Sequence, residues 1–301
     1  MSWIDSHMHF WDPGRLDYPW LENEPALNRP YGPERPDSGR HHISGVVFVE
    51  AGRRPEQCLA EVEWVDSLAQ TRPGLLGIVA HAPVEDAAGR TEVLAALADR
   101  PLVVGVRRNI QDEAPGFALA AEFVRGVRSL ARYGLAFDLC VRHWQLAEVA
   151  ALVGQVPQVT FVLDHLGKPP VATGGRERWR DDLRRLAAHP NVVCKLSGLT
   201  TEADHATWDE ADVLPYLRDA LTVFGAERCM FGGDWPVATL ATGYERWIDV
   251  VSAALADLPA ADQEAVMSGT AQRVYQLNVP AGTALVTSDP PAALPPKLRR
   301  P

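Results

Sequence analysis

Eight short apolar runs alternate with longer amphipathic segments along the chain. Unbroken apolar runs of this length are typical of parallel strands that are buried on both faces. Consecutive runs begin about 30 residues apart, from 24 (135 to 159) to 42 (3 to 45). The runs cover residues 3–9, 45–51, 75–82, 102–110, 135–141, 159–165, 192–198 and 229–235.

The segments between these runs carry apolar residues at helical spacing. One repeat follows Pro55, a second ends before Gly134 and a third ends before Gly225, residues suited to helix starts and stops. Their apolar positions are Leu59, Val62, Val65 and Leu68; Phe123, Val127 and Leu130; Val213, Leu217, Leu221 and Phe224. Further helices are predicted over about 90–99, 143–154, 176–188, 244–257 and 260–277.

Eight strands that alternate with helices predict an α/β fold, a (β/α)8 TIM barrel. The main alternative is a doubly wound open sheet, which usually carries a glycine-rich phosphate loop after its first strand. The segment HMHFWDPGRLDYPW does not resemble such a loop. We predict one barrel domain over residues 1–278, with a long first βα connection (10–43) that caps the site. Residues 279–301 are proline-rich and are predicted to be a flexible tail.

Composition narrows the class of protein. An apolar fraction of 47% and a charged fraction of 23% in 301 residues are typical of a globular protein with a large core. The four cysteines form no CxxC pair, and the three in apolar strand-like runs, Cys140, Cys194 and Cys229, are predicted to be buried thiols. A net charge of −10 argues against nucleic acid or an anionic membrane as partner. Without a signal segment or an apolar run of membrane length, we expect a cytoplasmic protein. A homo-oligomer remains open.

Polar side chains accumulate where the predicted strands end, which in a TIM barrel is the catalytic face. His7 and His9 are two residues apart on the first strand, so both side chains leave the same face. Asp234 in FGGDWP can bind a metal ion or act as a general base, and His165 in LDHLGKP is placed similarly. The alternatives are hydrogen-bonded core histidines and a helix-capping aspartate.

A second group of residues is predicted to bind substrate. Arg107 suits a carboxylate or a polyhydroxylated molecule, because a guanidinium donates paired hydrogen bonds. Lys195 joins this group, although a salt bridge to a carboxylate is its more frequent role. The remaining predicted substrate-binding residues are Glu50, His81, Trp11, Trp20 and Trp235.

The motifs together resemble the amidohydrolase superfamily, and within it the sugar lactonases such as L-fuconolactonase and L-rhamnonolactonase-like enzymes. The resemblance runs in order through IDSHMHFWDP, GVRRNIQDE, FVLDHLGKP, CKLSGL and FGGDWP, and covers most of residues 3–277. It implies that His7, His9, His165 and Asp234 are catalytic. His7, His9 and Asp234, with His165 as a further ligand, would hold one divalent metal ion, Zn²⁺ or Mn²⁺.

The sequence departs from the superfamily members that hold two metals. No lysine ends the fourth strand, and Asp138 and Cys140 stand at the end of the fifth strand in place of a histidine. A metal-independent reaction therefore stays open.

The resemblance implies a hydrolase that opens the lactone ring of a sugar acid, such as an L-fucono- or L-rhamnono-lactone, with Asp234 as general base. Two alternatives remain: a metal-dependent decarboxylase or hydratase on the same barrel, and a non-catalytic barrel that binds sugar acids.

Overall fold

The computed structural model describes residues 2–33, 36–71 and 74–279. Its eight strands pair in parallel and in chain order, β1 to β8, which confirms the predicted (β/α)8 barrel. The strands β1 to β8 are Ser2–Met8, His42–Val49, Leu75–His81, Val103–Arg107, Ala136–Leu139, Phe161–Leu163, Val192–Leu196 and Cys229–Phe231.

Helices occupy the connections between the strands, as predicted. Helices α1 to α9 are Cys58–Thr71, Arg90–Ala98, Ala121–Ser129, Leu146–Gln155, Arg176–Ala187, Glu210–Phe224, Tyr244–Leu255, Ala260–Glu264 and Thr270–Tyr275. The single helix predicted over 260–277 is divided, because a π-helical turn over Ala265–Gly269 separates α8 from α9. Helix α6 shows the local rules clearly: Asp209 caps its first turn, and it ends at Gly225 (φ 77°).

The barrel closes between its first and last strands. Ser6 Oγ donates to the carbonyl of Phe231 at 2.6 Å, and Met8 forms a parallel bridge with Trp235. Beyond β8, the amide of Asp234 donates to the carbonyl of His7 at 2.8 Å. The two ends of the chain therefore meet at the face where the predicted catalytic residues lie.

Two apolar layers surround the strands. The larger one packs the outer strand faces against the helices. The smaller one fills the barrel, and it joins Ala271, Val274 and Tyr275 of α9 in one cluster with at least one residue from every strand. The strand residues of this inner layer are Ile4, Val47, Val49, Leu76, Val79, Val104, Ala136, Val162, Val193 and Met230. Alternate strand positions thus supply an interior without a channel.

The long first connection has an apolar cluster of its own. The backbone amides of Trp11 and Tyr31 each donate to the carbonyl of the other residue. Their rings pack edge to face, with centroids 5.1 Å apart. Leu16, Tyr18, Leu21 and Leu27 complete the buried cluster.

Three further predictions concern the cysteines, membrane spans and the C-terminal tail. Cys140, Cys194 and Cys229 are buried and free, as predicted, and Cys58 is buried and free as well. Among the residues that the structure describes, no helix is long and apolar enough to span a membrane. The predicted tail over 279–301 lies outside the described residues except for its first position.

Candidate active site

His7 in β1 and His9 directly after it point to the same place above the barrel. Their Nε2 atoms are 3.2 Å apart, and both residues are buried. His9 Nδ1 lies 2.8 Å from the carbonyl oxygen of Val49. Because a carbonyl only accepts, Nδ1 of His9 carries a proton.

Asp234 lies opposite this pair. Its Oδ1 is 3.4 Å from His9 Nε2, 3.7 Å from His7 Nε2 and 3.9 Å from His165 Nε2. His165 is fixed from its other side by Ser197 Oγ, 2.9 Å from Nδ1. One carboxylate is therefore surrounded by three imidazoles that come from β1 and from the turn after β6.

Left-handed backbone conformations produce this convergence. Asp234 has φ 53° and His165 has φ 51°, values that non-glycine residues rarely adopt. Leu166, Gly167 and Lys168 continue the same conformation after His165. Such strained positions concentrate at functional sites, where the surrounding contacts hold them in place.

Burial sets the protonation states of the cluster. It holds the pKa of His7 well below its usual value and lowers the pKa of His165 to about 4. Burial alone would raise the pKa of Asp234, but interactions with His165, and then with His9 and His7, outweigh it and lower the pKa below its ordinary value. Near neutral pH the cluster therefore combines an ionised carboxylate with neutral His7 and His165 rings.

A buried ion network supports the cluster from below. Arg107 Nε donates to Glu50 Oε1 at 2.8 Å, and Arg107 Nη1 lies 3.3 Å from Asp164 Oδ2. Asp164 Oδ1 is 3.2 Å from His7 Nδ1, so the network reaches the β1 histidine directly. Lys195 Nζ is 3.1 Å from Asp164 Oδ1.

The lower end of the network closes on the C-terminal helix. Lys195 donates to Asp138 Oδ2 at 2.5 Å, and the hydroxyl of Tyr275 donates to the same oxygen at 2.8 Å. All of these groups are buried. Asp138, in β5, is thus the partner of a lysine.

A cavity of about 390 Å³ opens above Asp234. Eight of the predicted site residues line it: His9, Trp11, Trp20, Glu50, His81, Arg107, His165 and Asp234. Three other predicted residues are not among its lining residues. His7 lies behind the wall, and Lys195 lies inside the barrel with its side chain 0% exposed. The ring of Trp235 packs against Tyr31, with centroids 5.3 Å apart.

Sequence reasoning missed several residues of this site. Arg53, Gln111 and Lys168 line the cavity from the connections after β2, β4 and β6. They lie a few residues beyond the strand ends, where the apolar pattern carries no signal. Ser197, directly after β7, orients His165 and is not among the predicted site residues.

Gly198 leaves space that a side chain would fill. A Cβ atom there would lie 2.5 Å from His165 Nδ1 and 2.7 Å from Asp234 Oδ2, and its φ is 57°. We expect Gly198→Ala to lower kcat/KM by at least about 100-fold, because displacement of reacting groups by an ångström costs this much. Steady-state kinetics measure the effect.

Gly116 provides a matched control, since it has φ 90° and nothing within 4 Å of the added Cβ. Gly116→Ala introduces backbone strain without a clash and should keep the wild-type rate. Equal rates for the two variants would contradict the packing argument.

The donor set fits a divalent metal ion. His9 Nε2 lies 3.4 Å from the carboxylate Oδ1 of Asp234 and 3.2 Å from His7 Nε2, so three possible ligand atoms lie close together. His7, His9 and Asp234 offer ligand atoms within 4.8 Å of one another, and His7, Asp164 and His165 form an overlapping group. Neutral imidazoles with one carboxylate are a common ligand set for zinc.

Comparison with known proteins identifies the family. A model of the family described as Amidohydrolase matches residues 4–277. The chain belongs to the amidohydrolase family. This result confirms the resemblance seen in the motifs and the prediction that the protein is a hydrolase.

The amidohydrolase has curated relatives of nearly the same length. L-fucono-1,5-lactonase of Burkholderia multivorans is 37% identical over 299 residues, which cover 94% of this chain and 98% of the relative. L-fucono-1,5-lactonase of Burkholderia ambifaria is 31% identical and covers 93% of this chain and 97% of its own.

A solved structure is also similar. An amidohydrolase from Burkholderia multivorans superimposes with a TM-score of 0.81 at 33% identity and covers 92% of this chain and 100% of its own. It was crystallised with bound zinc in one form and with bound HEPES in another.

Proposed function

We propose that this amidohydrolase hydrolyses the lactone of a sugar acid, an aldonolactone such as L-fucono- or L-rhamnono-lactone, to the open hydroxy acid. The observation that carries the proposal is the Asp234 carboxylate, held within 3.9 Å of three imidazoles at a cavity large enough for a sugar lactone. The lactonase activity of the two Burkholderia relatives supports it.

In this mechanism Asp234 removes a proton from water, and the resulting hydroxide forms a bond to the lactone carbonyl carbon. The tetrahedral intermediate collapses by breaking the bond between that carbon and the ring oxygen. Asp234 then returns its proton to the leaving oxygen, which becomes the hydroxyl group of the product. The lowered pKa of Asp234 keeps the carboxylate ionised near neutral pH.

The other residues orient and support these steps. His165 is held by Ser197 and offers Nε2 to the cavity side, where it can position the carbonyl oxygen of the substrate. Arg107 forms ion pairs with Glu50 and Asp164 and keeps the cavity wall beside His7 in place. Trp11 and Trp20 give the cavity an apolar side that can pack against a sugar ring.

His7, His9 and Asp234, with His165 beside them, would hold a divalent cation such as Zn²⁺ or Mn²⁺. When bound, such a cation would act as a Lewis acid and lower the pKa of water.

A panel of aldonolactones tests the function. Acid release is followed with a pH indicator, after chelation and again after addition of Zn²⁺ or Mn²⁺, with spontaneous hydrolysis subtracted. We expect turnover of at least one five- or six-membered aldonolactone. Absence of turnover on the whole panel, with and without metal, would contradict the proposal. Metal content of the protein as purified shows whether activity follows metal occupancy.

A further inference from the structure

Arg53, in the connection after β2, lines the cavity but takes no part in the mechanism above. Its side chain is only 1% exposed and lies between two carboxylates. Nη1 is 3.3 Å from Glu50 Oε2, and Nε is 3.5 Å from Glu61 Oε2. Over the described residues, Nε and Nη2 of Arg53 have no hydrogen-bond partner.

An incompletely bonded guanidinium is unusual in a protein interior. Arginine has five N–H donors in a fixed plane, and buried donors without acceptors destabilise the folded state. Because Arg53 forms part of a cavity wall, oxygen atoms of a bound molecule can complete its hydrogen bonds with small side-chain adjustments.

His81, the last residue of β3, is a second polar residue in the lining of the cavity. Burial, followed by the charge of Arg53, lowers the pKa of His81 to about 3, so the ring is neutral. Within the described ranges, neither ring nitrogen of His81 contacts a hydrogen-bond partner. A neutral imidazole offers one donor and one acceptor, which matches a hydroxyl group.

The charges around the cavity favour hydroxyl groups over a carboxylate. Arg107 is paired with Glu50 and Asp164, and Arg108 is paired with Glu85 and Glu113. Lys168 donates to Gln111 and lies 4.0 Å from Glu202. Arg53 itself stands between Glu50 and Glu61. Each of these four cations therefore already has an acidic neighbour.

We propose that Arg53 is a substrate-binding residue that, together with His81, receives the hydroxyl groups of the lactone. The pair selects neutral polyhydroxylated lactones over lactones that lack hydroxyls and over lactones that carry a carboxylate. This inference rests on the proposed lactonase function.

Two lactones with the same ring test the selection: a six-membered aldonolactone, and δ-valerolactone, which has no hydroxyls. Arg53→Gln should lower kcat/KM for the aldonolactone roughly 10- to 100-fold, the effect of losing a hydrogen bond to a charged group. The rate on δ-valerolactone should change by less than about 3-fold, because that ring has no hydroxyl for Arg53 to bind. Equal losses on both lactones, or no loss on either, would overturn the proposal.

A second variant separates the loss of hydrogen bonds to the substrate from the loss of charge balance. Arg53→Gln leaves Glu61 without its cation, whereas Arg53→Gln with Glu61→Gln keeps the local charge balanced. The double variant should show the same loss of preference for the aldonolactone. If it regains the wild-type preference, Arg53 acts only by balancing charge.

Binding of a non-hydrolysable aldonolactam separates this inference from the proposed function, since calorimetry needs no turnover. The wild type should bind the lactam, and Arg53→Gln should bind it at least about 10-fold more weakly. Equal affinity, or no binding to the wild type, would overturn the role of Arg53. Failure of the wild type to hydrolyse any aldonolactone of the panel, with and without metal, would instead contradict the proposed function.

Discussion

Asp234→Asn is expected to lower kcat for lactone hydrolysis by about 10²- to 10⁴-fold, the usual contribution of a positioned general base. The amide has nearly the same shape as the carboxylate but cannot take a proton from water. The variant also loses the anion that His7, His9 and His165 surround at 3.4 to 3.9 Å. Initial rates measured with a pH indicator, alongside circular dichroism, separate lost chemistry from lost fold.

The matched control is Asp181→Asn on the surface of α5, where the side chain is 62% exposed and pairs with Arg184. It carries the same chemical change far from the cavity and should retain the wild-type rate. A folded Asp234→Asn enzyme with a near-normal rate would remove Asp234 from the mechanism.

Lys195→Met is expected to lower the free energy of unfolding by about 3–5 kcal/mol, the cost of removing one partner from a buried ion pair. Methionine fills similar space, but Asp138 and Asp164 lose the ammonium that lies 2.5 and 3.1 Å from them. Urea titration followed by tryptophan fluorescence measures the change.

A double variant tests whether the unpaired charge is the cause. Asp138→Asn removes one of the two anions and still accepts from Tyr275, so Lys195→Met with Asp138→Asn should regain part of the lost stability. On the surface, Arg184→Met breaks the exposed pair with Asp181 and should cost less than about 1 kcal/mol. If Lys195→Met costs as little as Arg184→Met, the buried network does not stabilise the fold as argued.

Much of the fold could be predicted from the sequence, because each barrel strand is a short run with its own apolar signal. Each of the eight predicted runs overlaps one strand, and six contain the whole strand; Ser2–Met8 and His42–Val49 begin before their runs. The spacing of His7 and His9 was sufficient to predict that both side chains reach one place, since alternation along a strand is a local property.

The predictions weaken where the strands end. His165 and Asp234 follow β6 and β8 in left-handed conformations that no pattern of apolar residues indicates. The same turns decide that the ring of Trp235 packs against Tyr31 and is absent from the cavity lining. Side-chain direction after a strand depends on tertiary contacts, so residue type alone could not place it.

Lys195 illustrates a different limit. It follows the inward-facing Val193 by two positions, so its side chain enters the barrel below the cavity floor. The sequence supplies a cation near other polar strand ends, but the depth at which that cation lies depends on the stagger between neighbouring strands.

The hydrogen bond from the Asp234 amide to the His7 carbonyl joins the first strand of the barrel to the segment after the last strand. A nascent or truncated chain without residues 229–235 would possess the histidine pair but neither the carboxylate nor a closed sheet. Catalytic competence and closure of the barrel should thus arise in the same folding event. Recovery of activity during refolding therefore reports when the last strand docks.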